Sequence, residues 1–101
     1  MKHLIIILLM LAGHAANAQK YVLVIHGGAG SLKPGMVSAE REKAYKKGLQ
    51  SALDAGEKIL EKGGTALDAV EAAIKVLEDD SLFNAGRGAV FTSEGRNELD
   101  A

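Results

Sequence analysis

The chain has 101 residues, enough for at most one modest domain. Its 12 basic residues nearly cancel 13 acidic ones, no basic stripe exists, and Tyr21, Tyr45, Phe83 and Phe91 are its only aromatics, a composition that argues against nucleic-acid binding. The absence of cysteine excludes disulfide staples, thiolate metal sites and a lipoprotein anchor.

Residues 1–18 have the layout of an export signal. Met1-Lys2-His3 is a short positive segment, residues 4–12 are continuously apolar, and Ala16-Asn17-Ala18 is the small-x-small pattern cut by signal peptidase. A spanning helix needs about 20 apolar residues, so the run is too short for a membrane anchor. The expectation is a cleaved signal over 1–18, a product in the periplasm or secreted and free of the membrane, and a mature portion over 19–101.

Residues 21–26 (YVLVIH) are short, β-branched and followed by glycines, which predicts a buried strand. Residues 27–37 hold four glycines and the single proline, Pro34, and read as a loop. Ser38 then offers an N-cap, with Glu40 and Glu42 where the helix dipole favours acids. Tyr45, Leu49, Ala52, Leu53, Gly56, Ile59 and Leu60 follow at helical spacing, and Gly63-Gly64 is the stop. Thr65 and Asp68 form a T-x-x-D capping pattern for a second helix, with Leu67, Val70, Ala73, Ile74 and Leu77 as its apolar face. Asp79-Asp80 ends that helix against its own dipole. Residues 89–93 and 97–101 read as two strands about a turn at Glu94-Gly95-Arg96. Ending on Glu98-Leu99-Asp100-Ala101, the chain is expected to be the front part of a longer protein.

Two glycine-rich strings could carry chemistry. His26-Gly27-Gly28-Ala29-Gly30 follows a strand, and its glycines let backbone N–H groups approach a ligand or another segment closely. It reads as the floor of a pocket or, as the string alone favours, as a tight turn whose histidine bonds the backbone. It lacks the pattern of a phosphate loop. In Leu82-Phe83-Asn84-Ala85-Gly86-Arg87-Gly88, small residues leave the Asn84 amide room to reach a ligand with both donors and an acceptor. The same loop offers free backbone carbonyls suited to a hard cation. The plain alternative is a structural loop in which Asn84 satisfies its own turn. Asp79-Asp80 reads as a solvated helix end rather than an acid–base dyad.

The two strings in this order, with GGTALDAVEAA between them and ELDA after them, resemble the plant-type L-asparaginase/isoaspartyl aminopeptidase family of N-terminal-nucleophile hydrolases. The match covers residues 21–101. Glycosylasparaginases share the helix motif but not the H-G-G-A-G or N-A-G-x-G strings, which tilts the resemblance to the asparaginase branch. The resemblance implies an α+β fold, a four-layer αββα sandwich of which strand, helix, helix, strand and strand are present. It implies a precursor that cuts itself before a threonine, which then serves as nucleophile and, through its α-amine, as base. Its substrates are asparagine or β-aspartyl dipeptides. The region corresponds to the start of an α subunit, whose partners are the β subunit and a second αβ heterodimer. By carry-over, Gly27 and Gly28 lie near the nucleophile, and Asn84 helps arrange the substrate or the attacking water. Main-chain carbonyls of Leu77, Glu78, Asp80, Phe83, Ala85 and Arg87 wrap a structural sodium ion; no other cofactor is implied.

The chain departs from the family pattern at Ser81, where many relatives carry proline, and at Arg87, a variable position. It contains no Gly-Thr cleavage junction and no arginine/aspartate pair for the substrate's α-carboxylate and α-amine. Thr65 caps a helix and Thr92 falls in a strand, so neither is a candidate nucleophile. The competing readings are an exported small-ligand or cation-binding module and a truncated product without function.

Overall fold

A computed structural model describes residues 21–28, 33 and 35–99. The expected export signal, most of the loop segment 29–34 and the last two residues of the expected final strand lie outside the described residues. Helix α1 spans Ala39–Glu61 and helix α2 spans Ala66–Asp79, and a 3-10 turn follows at Gly86–Gly88.

Local chemistry sets the helix ends. The Ser38 hydroxyl accepts from the Arg41 N–H at 3.2 Å, satisfying one of the free donors of the first turn. Glu40 is held below the usual carboxylate range, first by its own backbone N–H and then by Ser38. At the other end Gly63 has φ +77, and the N–H groups of Gly63 and Gly64 donate to the carbonyls of Leu60 (3.0 Å) and Ile59 (2.9 Å). Those two bonds are the Schellman pair that closes a helix. One residue later Thr65 caps α2: its Oγ1 accepts from the Asp68 N–H at 3.1 Å and donates to the Asp68 carboxylate at 2.7 Å.

The helices meet along their smallest residues. Gly48, Ala52 and Gly56 of α1 are buried, as are Ala69 and Ala73 of α2. A Cβ on Gly56 would stand 3.0 Å from the Ala69 carbonyl oxygen and 3.5 Å from the Ala73 Cβ, so its absence lets the backbones approach. Of the apolar face expected for α2, Ala73 is buried and Leu77 half-buried. Leu67, Val70 and Ile74 are exposed, and the contact face is turned towards the two alanines, because only small side chains fit that close crossing.

Residues 21–28 pass beside α1, with Gly27 near Leu49 and Leu23 near Gly56, and make no ladder among the described residues. Leu23 and Ile25 are half-buried, whereas Val22 and Val24 are more than four-fifths exposed. The Leu23 methyl sits 2.7 Å from where a Gly56 Cβ would be. Tyr21 stands against Glu57 and Glu61; desolvation and those two charges push its phenol up. At the far end the turn at 92–96 is closed by the Thr92 N–H donating to the Arg96 carbonyl (2.7 Å) and the Gly95 N–H to the Thr92 carbonyl (3.0 Å). Phe91 and Asn97 form a single antiparallel bridge, the full extent of β pairing among the described residues.

Candidate functional site

The segment from the end of α2 to the turn at 92–96 is organised by polar bonds around one buried ring. Asp80 caps α2; its Oδ1 accepts from the Leu82 N–H at 3.0 Å, and its carbonyl accepts from the Phe83 N–H at 3.2 Å. This reverses the chain and drops Phe83, 5% exposed, onto α1. There the Phe83 ring meets Tyr45 edge-on, with centroids 5.9 Å apart and planes at 70°. Gly48 makes the notch: a Cβ there would lie 2.9 Å from the Phe83 Cε2 and 2.7 Å from the Asp80 Oδ2. A glycine inside a helix costs about 1 kcal/mol against alanine, so its presence in α1 marks this seat.

Beyond Phe83 the chain folds back over its own carbonyls. The Ala85 N–H donates to the Phe83 carbonyl (2.8 Å), the Gly88 N–H to that of Ala85 (3.0 Å), and the Ala89 N–H to that of Gly86 (3.2 Å). Gly86 has φ +50, and any Cβ on it would collide with the Glu78 carbonyl oxygen. A Cβ on Gly88 would collide with the Phe83 oxygen and stand 2.8 Å from that of Ser81. The two glycines are therefore required by close approach to carbonyls. The final carbonyls of α2, including those of Leu77 and Glu78, lack intrahelical partners, and the last turn of α2 holds no basic residue. Arg87 pairs with Asp79 at 3.2 Å, but both are exposed, so the pair contributes little.

Of the residues singled out in the sequence, Leu77 and Glu78 lie in the last turn of α2, and Asp80, Phe83, Ala85 and Arg87 in the loop that follows it. Gly27 and Gly28 do not touch that loop directly. A Cβ on Gly27 would stand 2.6 Å from Leu49 Cδ2, while the next residue of α1 towards the N-terminus, Gly48, seats the loop. One turn of α1 therefore anchors both glycine-rich strings. Gly28 has φ +136, a conformation open to glycine.

Asn84 is exposed, and its Oδ1 accepts from the Val90 N–H at 2.9 Å. Asn97 was not singled out by sequence reasoning. Its Nδ2 donates to the carbonyls of Ala89 (2.8 Å) and Val90 (3.1 Å). The only sequence signal for it is an asparagine where a strand should begin, a position that disfavours this residue. An open groove beside the loop is lined by Lys47, Gly48 and Ser51 of α1 and by Asp79, Asp80 and Ser81. Among the described residues no three acidic or histidine side chains are grouped to hold a metal, so any cation here would rest on backbone oxygens.

Residues 19–101 match the family model described as Asparaginase. The chain is 48% identical over 82 residues to the isoaspartyl peptidase of Salmonella typhimurium, covering 81% of this chain and 26% of that protein. Over the same length it is 46% identical to the isoaspartyl peptidase of Escherichia coli, with the same coverage of each. To the plant-type L-asparaginase of Pyrococcus abyssi it is 49% identical over 79 residues, 78% of this chain and 24% of that protein. The chain thus spans about a quarter of the length of the curated relatives it matches.

Proposed function

This chain belongs to the asparaginase family, and from that premise we propose that it is the front portion of an exported hydrolase of asparagine or β-aspartyl dipeptides. The observation that carries this reading is the loop after α2, where Gly86 and Gly88 press against the carbonyls of Glu78, Ser81 and Phe83, and Asn84 projects from the result. Relatives that share this segment are named isoaspartyl peptidase or plant-type L-asparaginase. The nucleophile is a threonine outside this chain, exposed by self-cleavage, whose own amine takes the proton from its hydroxyl as it attacks the amide carbonyl. In that assembly Gly27 and Gly28 form the pocket floor and Asn84 orients the substrate or water.

The same reading supplies the fold. We assign residues 21–26, 89–93 and 97–101 to strands of an αββα sandwich whose remaining strands belong to the rest of the protein. Two exposed apolar faces support this. Val22 and Val24 belong to the segment beside α1, and Leu67, Val70 and Ile74 form a stripe on α2; such patches mark covered surfaces. The remaining polypeptide, as a β subunit and then a second heterodimer, is the proposed cover.

The loop also suits the sodium ion implied for the family. The donor set is hard carbonyl oxygen, the negative end of the α2 dipole points at it, and Asp79 and Asp80 add negative charge. Carbonyls of Leu77, Glu78, Asp80, Phe83, Ala85 and Arg87 would hold the ion, those of Asp80, Phe83 and Ala85 through the lone pair left beside their backbone hydrogen bonds.

The test is a graft of residues 19–101 into the matching stretch of the Escherichia coli isoaspartyl peptidase, assayed on a β-aspartyl dipeptide. Turnover by the graft, and none by the 101-residue chain alone, is expected. Asn84→Ala in the graft should cost about 2.7–4 kcal/mol in kcat if its amide faces developing charge. An inactive but folded graft, or an unchanged kcat in Asn84→Ala with a lowered melting midpoint, would return the loop to its plain structural reading.

A further inference from the structure

The sequence leaves open which end of the Asn84 amide faces a ligand, and the structure closes the question through a second asparagine. The group facing Asn84 is the Val90 backbone N–H, which can only donate. The amide atom turned to it is therefore the oxygen, and a flip would set two donors against each other. The groups facing Asn97 are two backbone carbonyls, which can only accept, so its nitrogen is equally fixed. Asn97 sits at the end of the turn, bridged to Phe91. From there its one nitrogen ties down both carbonyls of the Ala89–Val90 step, and the Val90 N–H leaves that same step to hold Asn84.

We propose that Asn97 is a positioning residue: by clamping the Ala89–Val90 backbone it commits the Asn84 oxygen inward and leaves the Asn84 NH2 as the group presented to the ligand. The proposal rests on the hydrolase reading for what that NH2 does, and it specifies that reading further. Asn84 then faces an oxygen acceptor, a substrate carbonyl or the oxyanion formed from it. Its oxygen is held towards the Val90 N–H, with one lone pair left over, so what the clamp fixes is which end of the amide faces the ligand. Among the described residues the Asn84 Nδ2 makes no hydrogen bond to protein, and Asn84 is exposed.

Two measurements test this, one of which needs no activity. In the 101-residue chain, amide hydrogen exchange at Val90 should quicken at least about tenfold in Asn97→Ala, since the step it leaves is no longer held. Amides of α1 and α2 should not change. Asn97→Asp keeps the size but lacks the donor, so it should match Asn97→Ala; protection retained in either variant overturns the clamp. In the graft, Asn97→Ala should lower kcat by about tenfold to a hundredfold, the range for a misplaced catalytic contact, with KM nearly unchanged. On an Asn84→Ala background the same substitution should cost little more, because its effect runs through Asn84. Full additivity of the two losses overturns the proposal. If the unmodified graft shows no turnover the hydrolase reading fails, while the exchange measurement still decides the clamp.

Discussion

The α1–α2 hairpin and the loop after it are held by opposite means. The hairpin rests on short-range rules repeated along the chain: an N-cap at Ser38, a Schellman close at Gly63-Gly64, a second N-cap at Thr65, and small residues at four-residue spacing. No single large side chain is wholly buried between the helices. The loop instead depends on a few particular contacts, namely the Phe83 ring in the Gly48 notch, two glycines against carbonyls, and the Asn84 and Asn97 amides. A region held by many equivalent small terms degrades gradually, whereas one held by a few unlike ones fails at single positions. Substitutions in the loop should thus uncouple the site from the helices that carry it.

The largest expected effect is from Phe83→Ala. Removing a buried aromatic ring typically costs about 3–5 kcal/mol, and here the whole cost falls on the loop's seat against Tyr45 and Gly48. Hydrogen exchange across residues 80–90 should rise to that of an open segment, while the circular dichroism of the helices changes little. Loss of the helical signal together with loop protection would mean that the two regions are one cooperative unit, and the comparison would break.

Next come two glycines of α1 whose alanine variants should have opposite consequences. An alanine in a helix gains about 1 kcal/mol over glycine. At Gly56 the new methyl would stand 3.0 Å from the Ala69 carbonyl, which belongs to the α2 backbone and cannot yield cheaply. Overpacking of about 1–3 kcal/mol should therefore outweigh the gain and lower the hairpin's melting midpoint. At Gly48 the obstacles are side-chain atoms, the Phe83 ring edge and the Asp80 carboxylate. They can be pushed aside, so the melting midpoint of the helices should hold or rise while exchange in the loop quickens. Both variants shifting the midpoint the same way would refute the separation.

These glycines also show what the sequence could and could not disclose. The helix ends were legible because caps are local: Ser38, Thr65 and Gly63 act within four residues of where they stand. The site loop was legible as a motif, since Asn84, Gly86 and Gly88 lie together. The contact face of α2 was not, because periodicity counts apolar residues without weighing how closely two backbones must approach. Ala73 belongs to the expected stripe and is buried, but Leu67, Val70 and Ile74 of that stripe are exposed, and Ala69, outside it, shares the contact. Nor was the role of Asn97 legible, because its partners lie seven and eight residues away and exist only once the turn at 92–96 has formed. Residues Gly48 and Leu49, which seat the two glycine-rich strings, looked like ordinary members of a helix.

A smaller effect should come from Ser38→Ala, about 1 kcal/mol for a lost N-cap. Its reach should be short: fraying confined to the first turns of α1, read as a modest drop in helical dichroism, with the Val90 amide protected as before.

The smallest effect is of pH, and it separates the regions by chemistry. Glu42 is held below the usual carboxylate range by its hydrogen bond to Lys46 and then by that ammonium's charge. A carboxylate lowered in the folded state contributes stability above its unfolded pKa and loses it as pH falls through the folded value. The start of α1 should therefore keep its helicity down to the lower edge of the carboxylate range and then fray, and Glu42→Gln should remove part of that transition. Lys75 runs the other way. Its bond to Glu71 raises it above the usual lysine range, so its contribution is complete below the unfolded pKa and lost as pH rises through the folded one. Both pairs are exposed, so each effect should be slight and should shrink further in salt. The ties from Asn84 and Asn97 do not titrate at all. Once the ordinary base dependence of exchange is divided out, protection at Val90 should be level across the acid range in which α1 begins to fray. A fall in Val90 protection in step with helical dichroism would show that the first turn of α1 transmits to the loop, and that the two regions are less separate than their contacts imply.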